Sequence, residues 1–293
     1  MQFEKLLKDN SKIILFDGGM GTEIFKRGIK LGQLPDFLNI EHPDTISEIH
    51  KSYYEAGSDM VQTNTFGSSY LNLKKYGLEH RIKEINQSAI ENIKAVRPNG
   101  RLIVGDIGPS GEFKPPVGKI SPEEWYKGFL KQTEVLEAGV DLWHIETISD
   151  IDEMKAAIDA IKNVSSKPII SSMTYKRTKR GFFTIMGDSL EKCIKIQEEC
   201  QVDVIGSNCT LGSLDMIDLL KEMKKHTQFP ISIKPNAGKP RVGPNGQTYY
   251  YQPINEFVGH IHEMFDLGVK IVGGCCGTSP KTIKGIKKVI QSR

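Results

Sequence analysis

Near the end of the chain two adjacent cysteines, Cys275 and Cys276, sit between glycines in Val272-Gly273-Gly274-Cys275-Cys276-Gly277-Thr278, directly after an apolar run over 269–272. Free cysteine is common in cores, but core packing has no use for glycine on both sides. Glycine is wanted where backbone takes unusual torsions or approaches something closely. Neighbouring side chains on a regular strand point to opposite faces, so two adjacent thiols reach one centre only in a turn beyond the strand. The pattern reads as half of a metal site. Cys209, in Ser207-Asn208-Cys209-Thr210, is the candidate third ligand, whereas Cys193 and Cys200 share a helix face and read as core.

Three thiolates with one open position suit zinc, which takes soft ligands in tetrahedral geometry. A structural zinc would carry a fourth Cys or His, with ligands paired at short spacing; there is no CxxC and no His near either cysteine turn. The open position therefore reads as a place for substrate. Zinc with three thiolates carries a charge of about −1 and is poor at activating water; a substrate thiol bound to it loses its proton yet keeps a nucleophilic sulfur. Alkylation of a substrate thiol is the chemistry that fits. Two further features point to an amino acid bearing that thiol. Amides of the turn Asp17-Gly18-Gly19-Met20-Gly21-Thr22-Glu23 can hold a carboxylate, and Asp17 with Glu146 can hold an ammonium group. The bland alternatives are a glycine turn that merely opens a helix, a buried carboxylate satisfied by backbone, and Gly273-Gly274 as a phosphate loop of the kind barrels carry after their last strands.

The elements that must position these residues alternate along the chain. Short apolar runs over 13–16, 59–63, 101–105, 141–145, 168–173, 203–205, 230–233 and 270–272 read as strands. Helical patterns separate them, and a basic loop over 176–181 follows the fifth strand. Strand–helix alternation argues for a parallel α/β sheet. Eight units in 293 residues, with no linker or composition break, argue for a single-domain (β/α)8 TIM barrel over residues 1–293 in preference to an open sheet. Asp17, Asn64, Asp106, Glu146, Asn208, Asn236 and Cys275 each follow a strand. Closure gathers such strand ends at one mouth, where barrel active sites lie; it also brings Cys209 to the rim that holds Cys275 and Cys276.

Bulk composition narrows the partners. A net charge of +3, with lysines spread along helices, gives no case for nucleic acid. No apolar run approaches the ~20 residues that span a bilayer, and the polar start is unlike a secretory signal. Five cysteines, an odd number, do not suggest a disulfide framework, so a cytoplasmic location is expected.

Taken together, the turn 17–23, Thr63-Asn64-Thr65-Phe66-Gly67, Gly105-Asp106-Ile107-Gly108-Pro109, Glu146-Thr147, Asn208-Cys209, Pro235-Asn236-Ala237-Gly238 and the Cys-Cys turn resemble the homocysteine S-methyltransferase family. The resemblance covers roughly residues 10–290 and is nearest to the homocysteine-binding barrel of cobalamin-dependent methionine synthases. It implies Cys209, Cys275 and Cys276 as zinc ligands and Asp17 and Glu146 as ligands of the homocysteine amino group. The amides from Gly18 and Gly19 to Thr22 would bind its carboxylate, and Asn236 would give zinc an oxygen when substrate is absent. Asn64 and Asp106 would line the mouth, with Gly238 and Tyr249-Tyr250-Tyr251 as a cover. The implied reaction moves a methyl group to homocysteine to give methionine. Segments 64–67 and 105–109 look more like the cobalamin-linked branch than the S-methylmethionine or betaine branches, so the expected donor is a separate methyl-corrinoid protein or methylcobalamin. No cobalamin- or folate-binding module follows residue 293, so the chain reads as an excised portion or as a partner of a separate donor. A different thiol acceptor, and a non-catalytic zinc- or thiol-binding subunit, remain the competing readings.

Overall fold

A strand covered on both faces has to be apolar on both faces, which is how the short strand runs of this chain read. In the computed structural model, which describes residues 2–29, 34–243 and 248–292, they form one parallel sheet: β1 (Ile14–Leu15), β2 (Met60–Gln62), β3 (Leu102–Ile107), β4 (Leu142–Ile148), β5 (Ile169–Met173), β6 (Val204–Gly212), β7 (Ile231–Asn236) and β8 (Ile271–Val272). From β2 to β8 sequence neighbours pair in the sheet, and β8 pairs back onto β1. Helices follow the strands and pack outside, among them Pro43–Glu55, Pro122–Leu136, Ile151–Val164, Ser213–His226 and Pro280–Gln291. This is the expected (β/α)8 barrel, and no helix among the described residues is long and apolar enough to cross a membrane.

Side-chain parity divides the core. One residue of each pair, such as Leu15, Val61, Ile103 and Ile205, packs outward against the helices. The other set, Ile14, Phe16, Met60, Leu102, Val104, Leu142, Ile170, Val204 and Ile271, fills the barrel. Phe3 joins this inner set from the helix Gln2–Lys8, with Leu6 and Leu7 against it. The opening residues, which sequence inspection found merely polar, thus plug the bottom. Two further steps along each strand the inward positions change character: Gln62 follows Met60, Asp106 follows Val104, and His144 and Glu146 follow Leu142.

The strands β3, β4, β6 and β7 run on through those polar positions. Asp106, Glu146, Asn208 and Asn236 are therefore strand residues, where the sequence expectation places them just beyond strand ends. Apolar content marks only the lower half of each strand; the upper half is polar because other strands supply its partners. The expected basic loop over 176–181 is a hairpin of Lys176–Thr178 with Gly181–Phe183. A second hairpin, Pro240–Val242 with Thr248–Tyr250, rises after β7 and carries Tyr249 and Tyr250 of the expected cover; residues 244–247 of the same loop lie outside the described residues.

Among the described residues no ladder joins β1 to β2, so closure there depends on single contacts. Asp59 donates its N–H to the Leu15 carbonyl at 2.7 Å and accepts the Leu15 N–H on its carboxylate at 2.9 Å. Asp141 clasps Ile103, and Asp203 clasps Ile169, in the same reciprocal way. At those two junctions a regular ladder shares the load. We expect Asp59→Ala to cost about 1–3 kcal/mol, the value of stranding a buried backbone donor, and Asp203→Ala to cost less. Urea unfolding of the two variants checks the order; equal losses would show that the seam is closed by something else.

Candidate active site

The glycines of the turn after β1 let it approach the cysteine turn within van der Waals contact. A Cβ on Gly19 would stand 2.8 Å from the Cys275 carbonyl oxygen, and one on Gly18 would stand 2.8 Å from Thr278 Oγ1. Hydrogen bonds zip the turns together. Gly274 donates to the Asp17 carbonyl at 2.9 Å, Gly19 donates to Thr278 Oγ1 at 3.1 Å, and Gly277 donates to Thr22 Oγ1 at 2.8 Å. Cys275 and Ala237 complete the join to the end of β7, through Cys275 N–H to the Pro235 carbonyl and Ala237 N–H to the Cys276 carbonyl.

Cys209 arrives from β6 by a different device. The ladder between β6 and β7 slips between Asn208 and Gly212, and Cys209 and Thr210 take φ of 58° and 52°. On β4 the pairing with β5 slips between Ile145 and Ile148, with Thr147 at φ 62°. For a β-branched residue such torsions are strained, at about 1–3 kcal/mol each. Asn208 ties the two irregular segments together. Its Oδ1 accepts from Thr147 N–H at 2.9 Å, while its Nδ2 donates to Thr147 Oγ1 at 2.8 Å and Glu146 Oε2 at 2.6 Å. The same Nδ2 lies 3.9 Å from Cys275 Sγ.

As a result, the sulfurs of Cys209, Cys275 and Cys276 lie within 4.8 Å of one another, with Cys209 and Cys276 at 3.9 Å. Sulfurs bound to one zinc at 2.3 Å stand roughly 3.8 Å apart in a tetrahedral arrangement. The cluster is distinguished further by Asn236, whose side chain reaches Cys209 and whose Oδ1 is buried without a partner. A soft-ligand set with a spare oxygen beside it fits zinc. Hydrogen bonds from Cys275 and Cys276 pull the Cys209 thiol down to about 3, and the same bonds hold Cys275 well above the usual range and Cys276 at about 12. One thiolate with two thiol donors is what the protein alone supports, so a dication has two protons to displace. Tyr250 packs on this turn: a Cβ on Gly277 would stand 2.4 Å from Tyr250 Cβ. Its hydroxyl is held neutral by burial and by the neighbouring Cys276 and Cys209.

Beneath the sulfurs lies a buried polar layer that motif reading had only partly anticipated. Gln62, His144 and Lys234 were not among the expected residues, although each falls at an inward position two or four residues along from an inward apolar or small one. Lys234 Nζ is 2.9 Å from Asp17 Oδ1 and 2.9 Å from Gln62 Oε1, and lies 3.7 Å over the Phe16 ring. Asp17 takes the Gln62 backbone N–H on its other oxygen at 2.8 Å. Gln62 Nε2 donates to Glu146 Oε1 at 2.8 Å and to Asp106 Oδ2 at 3.2 Å. With the Gln62 oxygen facing Lys234, His144 meets it through Nδ1–H at 3.1 Å and accepts from Ser172 Oγ at Nε2.

Electrostatics follow from this arrangement. Burial strips the Lys234 ammonium of water, but Asp17 and Glu146 outweigh that and hold it above its usual range. Burial pushes the Asp17 carboxyl up, against the pull of Lys234 and the Gln62 N–H. Burial and then the Glu146 charge push Asp106 well up, and burial raises Glu146 too, opposed by Lys234 and Gln62. Each of these two carboxylates disfavours the charge on the other. Burial and Lys234 keep His144 neutral. Asp106, His144 and Glu146 also bring ligand atoms within 4.8 Å of one another, but both His144 nitrogens are engaged and the Lys234 ammonium lies one hydrogen-bonded side chain away. That group reads as a buried network held together by the Gln62 amide. Asn64, expected to line the mouth, uses its side chain to hold the Pro35 carbonyl and Asn39 Oδ1.

Two outcomes are expected. Zinc uptake at pH 7 should release about two protons per ion, measured by calorimetry in buffers of different ionisation enthalpy; release near zero would exclude the thiols as ligands. Asp17→Ala should cost about 3–5 kcal/mol because it strands a buried ammonium, whereas Asp17→Leu with Lys234→Met should recover most of that loss in urea unfolding.

A family model described as homocysteine S-methyltransferase matches residues 14–290. The methionine synthases of Mycobacterium leprae and Mycobacterium tuberculosis are 29% and 28% identical to this chain over 300 and 304 residues. The matches take in 95% and 97% of this chain and 24% and 25% of those proteins, so the chain spans about a quarter of their length. The metallated form of the homocysteine methyltransferase MmuM from Escherichia coli superposes with a TM-score of 0.82 at 23% identity, over 98% of this chain and 99% of that one. The carboxyl transferase domain of Rhizobium etli pyruvate carboxylase, with 3-bromopyruvate, shares the barrel at a TM-score of 0.55 and 13% identity, over 98% of this chain and 48% of that one. Matched by the family model over nearly its whole length, this chain belongs to the homocysteine S-methyltransferase family.

Proposed function

We propose that this chain transfers a methyl group to the thiol of homocysteine, giving methionine, with zinc held by Cys209, Cys275 and Cys276. The observation that carries the reading is the meeting of three sulfurs from two distant turns beside a buried carboxylate, Glu146, to which Asn208 links them. Zinc, when bound, supplies a centre that deprotonates the incoming thiol while leaving its sulfur electron-rich. The thiol proton leaves to solvent, the sulfur lone pair takes the methyl group, and the donor keeps the electrons of the bond that breaks. Glu146 fixes the ammonium end of the substrate, Asn208 keeps Glu146 and the cysteine turn in register, and Tyr250 shelters the sulfurs from water. Asn236 gives the metal an oxygen when no substrate is bound. The five free cysteines agree with a reducing, cytoplasmic setting.

The donor we favour is methylcobalamin or a methyl-corrinoid protein, on the strength of segments 64–67 and 105–109 and of the methionine synthase relatives. S-methylmethionine or betaine is the second choice. A different thiol acceptor stays in view for a specific reason: Asp17, expected to bind the amino group, is already paired with Lys234.

Cys209→Ala, Cys275→Ala and Cys276→Ala should each lower zinc affinity by more than the roughly 10–100-fold that losing an outer partner costs. Metal content of the purified variants decides this, and full occupancy in all three would end the reading. Incubating the zinc protein and homocysteine with methylcobalamin, S-methylmethionine, S-adenosylmethionine or betaine should yield methionine from methylcobalamin first.

A further inference from the structure

A metal ion held by Cys209, Cys275 and Cys276 sets their sulfurs beside the substrate's before one methyl donor, and only the substrate's should react. The protein sulfurs share one property: each has a hydrogen-bond donor from outside the cluster. The Tyr250 hydroxyl donates to Cys276, and close packing of Tyr250 on Gly277 fixes it there. Cys209 receives the Asn236 side-chain NH2 and the Thr210 N–H, the latter from a strained turn with Thr210 at φ 52°. Cys275 Sγ lies 3.9 Å from Asn208 Nδ2, whose shorter bonds go to Glu146 and Thr147. That donor distance is long, but Cys275 is also the thiol set deepest in the protein. The unspent polar atom beside the sulfurs, Asn236 Oδ1, is an acceptor and has no hydrogen to offer an incoming sulfur.

We propose that the Tyr250 hydroxyl and the Asn236 amide are specificity-determining donors that keep Cys276 and Cys209 from being methylated in place of the substrate. The inference deepens the proposed function and rests on its reading of the cysteines as metal ligands. A hydrogen bond to a thiolate is charge-assisted, and its strength is lost as the sulfur becomes a neutral thioether, a weak acceptor. Each guarded sulfur therefore starts lower and climbs a higher barrier, while a substrate sulfur that receives no donor does not. In the wanted transfer the substrate sulfur's lone pair forms the S–CH3 bond, and the donor keeps the electron pair of the bond that breaks. At a cysteine the same electron count would leave a methylated side chain and a site short of one thiolate. Tyr250 thus does more than shelter the sulfurs from water: its ring covers them, and its hydroxyl lowers the reactivity of one.

The test is methylation of the zinc-loaded protein by methyl iodide with no homocysteine present; each sulfur that reacts gains CH3, and iodide leaves with the carbon–iodine electron pair. Peptide mass spectrometry reads the product cysteine by cysteine, with Cys200, half-buried at the end of the helix Leu190–Glu199, as the internal reference for reagent dose. Tyr250→Phe keeps the ring and removes the hydroxyl. It should raise methylation of Cys276 about fivefold to tenfold relative to Cys200 and leave Cys209 unchanged. Asn236→Leu should do the reverse, raising Cys209 and sparing Cys276. An equal rise at all three site cysteines in either variant would overturn the inference, because the side chains then act only by blocking access. No rise at Cys276 in fully metallated Tyr250→Phe would overturn it alone, whereas a wild-type chain that takes up no zinc would overturn it together with the metal-site reading. Metal content and thermal melting are measured for each variant first; if Asn236→Leu does not fold, the ratio of Cys276 to Cys209 in Tyr250→Phe decides.

Discussion

A parallel sheet closed on itself leaves no water inside to satisfy polar groups, so any polar side chain that points inward must find its partner on another strand. The lower half of this barrel avoids the problem by being apolar. The upper half accepts it, and the solution is one connected network: Lys234 on β7 to Asp17 beyond β1, both to Gln62 on β2, and Gln62 to Asp106 on β3 and to His144 and Glu146 on β4. An amide is the right centre for such a network. Glutamine presents an acceptor at one atom and donors at the next, so it can stand between an ammonium and two carboxylates and face each correctly.

Strain is placed where that network meets the sulfurs. Thr147, Cys209 and Thr210 hold left-handed torsions, and both ladder slips fall on those segments. A regular β6 strand would continue to alternate past Asn208 and would turn the Cys209 side chain away from the barrel axis. The slip re-aims it, as irregular strand segments beside active sites commonly do. Asn208 is what keeps the strained segments from relaxing, since one amide bonds the backbone of one, the hydroxyl of the same residue, and the carboxylate that precedes it.

Much of this was legible in the sequence, for identifiable reasons. Strand–helix alternation gave the barrel, and glycines around two adjacent cysteines gave the metal-like turn, because each pattern has few other physical causes. Lys234 was hidden for the opposite reason. A lysine near a strand end ordinarily reads as solvated, and nothing local shows that an aspartate more than two hundred positions earlier will bury it. Parity was the available clue: Ser232, Lys234 and Asn236 share one face of β7, and Asn236 was already expected to face the site. The helix Gln2–Lys8 escaped because seven residues carry too little periodicity to stand out; its apolar Phe3, Leu6 and Leu7 matter only once a barrel floor exists to receive them.

The glycine turns carry a packing constraint beside the role first attached to them. Gly18 and Gly19 read as backbone amides kept bare for a substrate carboxylate. Their closest constraint is instead the Cys275 carbonyl and the Thr278 hydroxyl, and the Gly19 N–H is already given to Thr278. That contact exists only because β1 and β8 are adjacent, as they are when the sheet closes. In an open doubly wound sheet the first and last strands need not meet, and the turn after β1 would have no cysteine turn to pack against. Closure therefore does more than gather residues at a mouth. It makes the turn after the last strand the floor under the turn after the first, so the motif residues at the two ends of the chain constrain one another through direct contact.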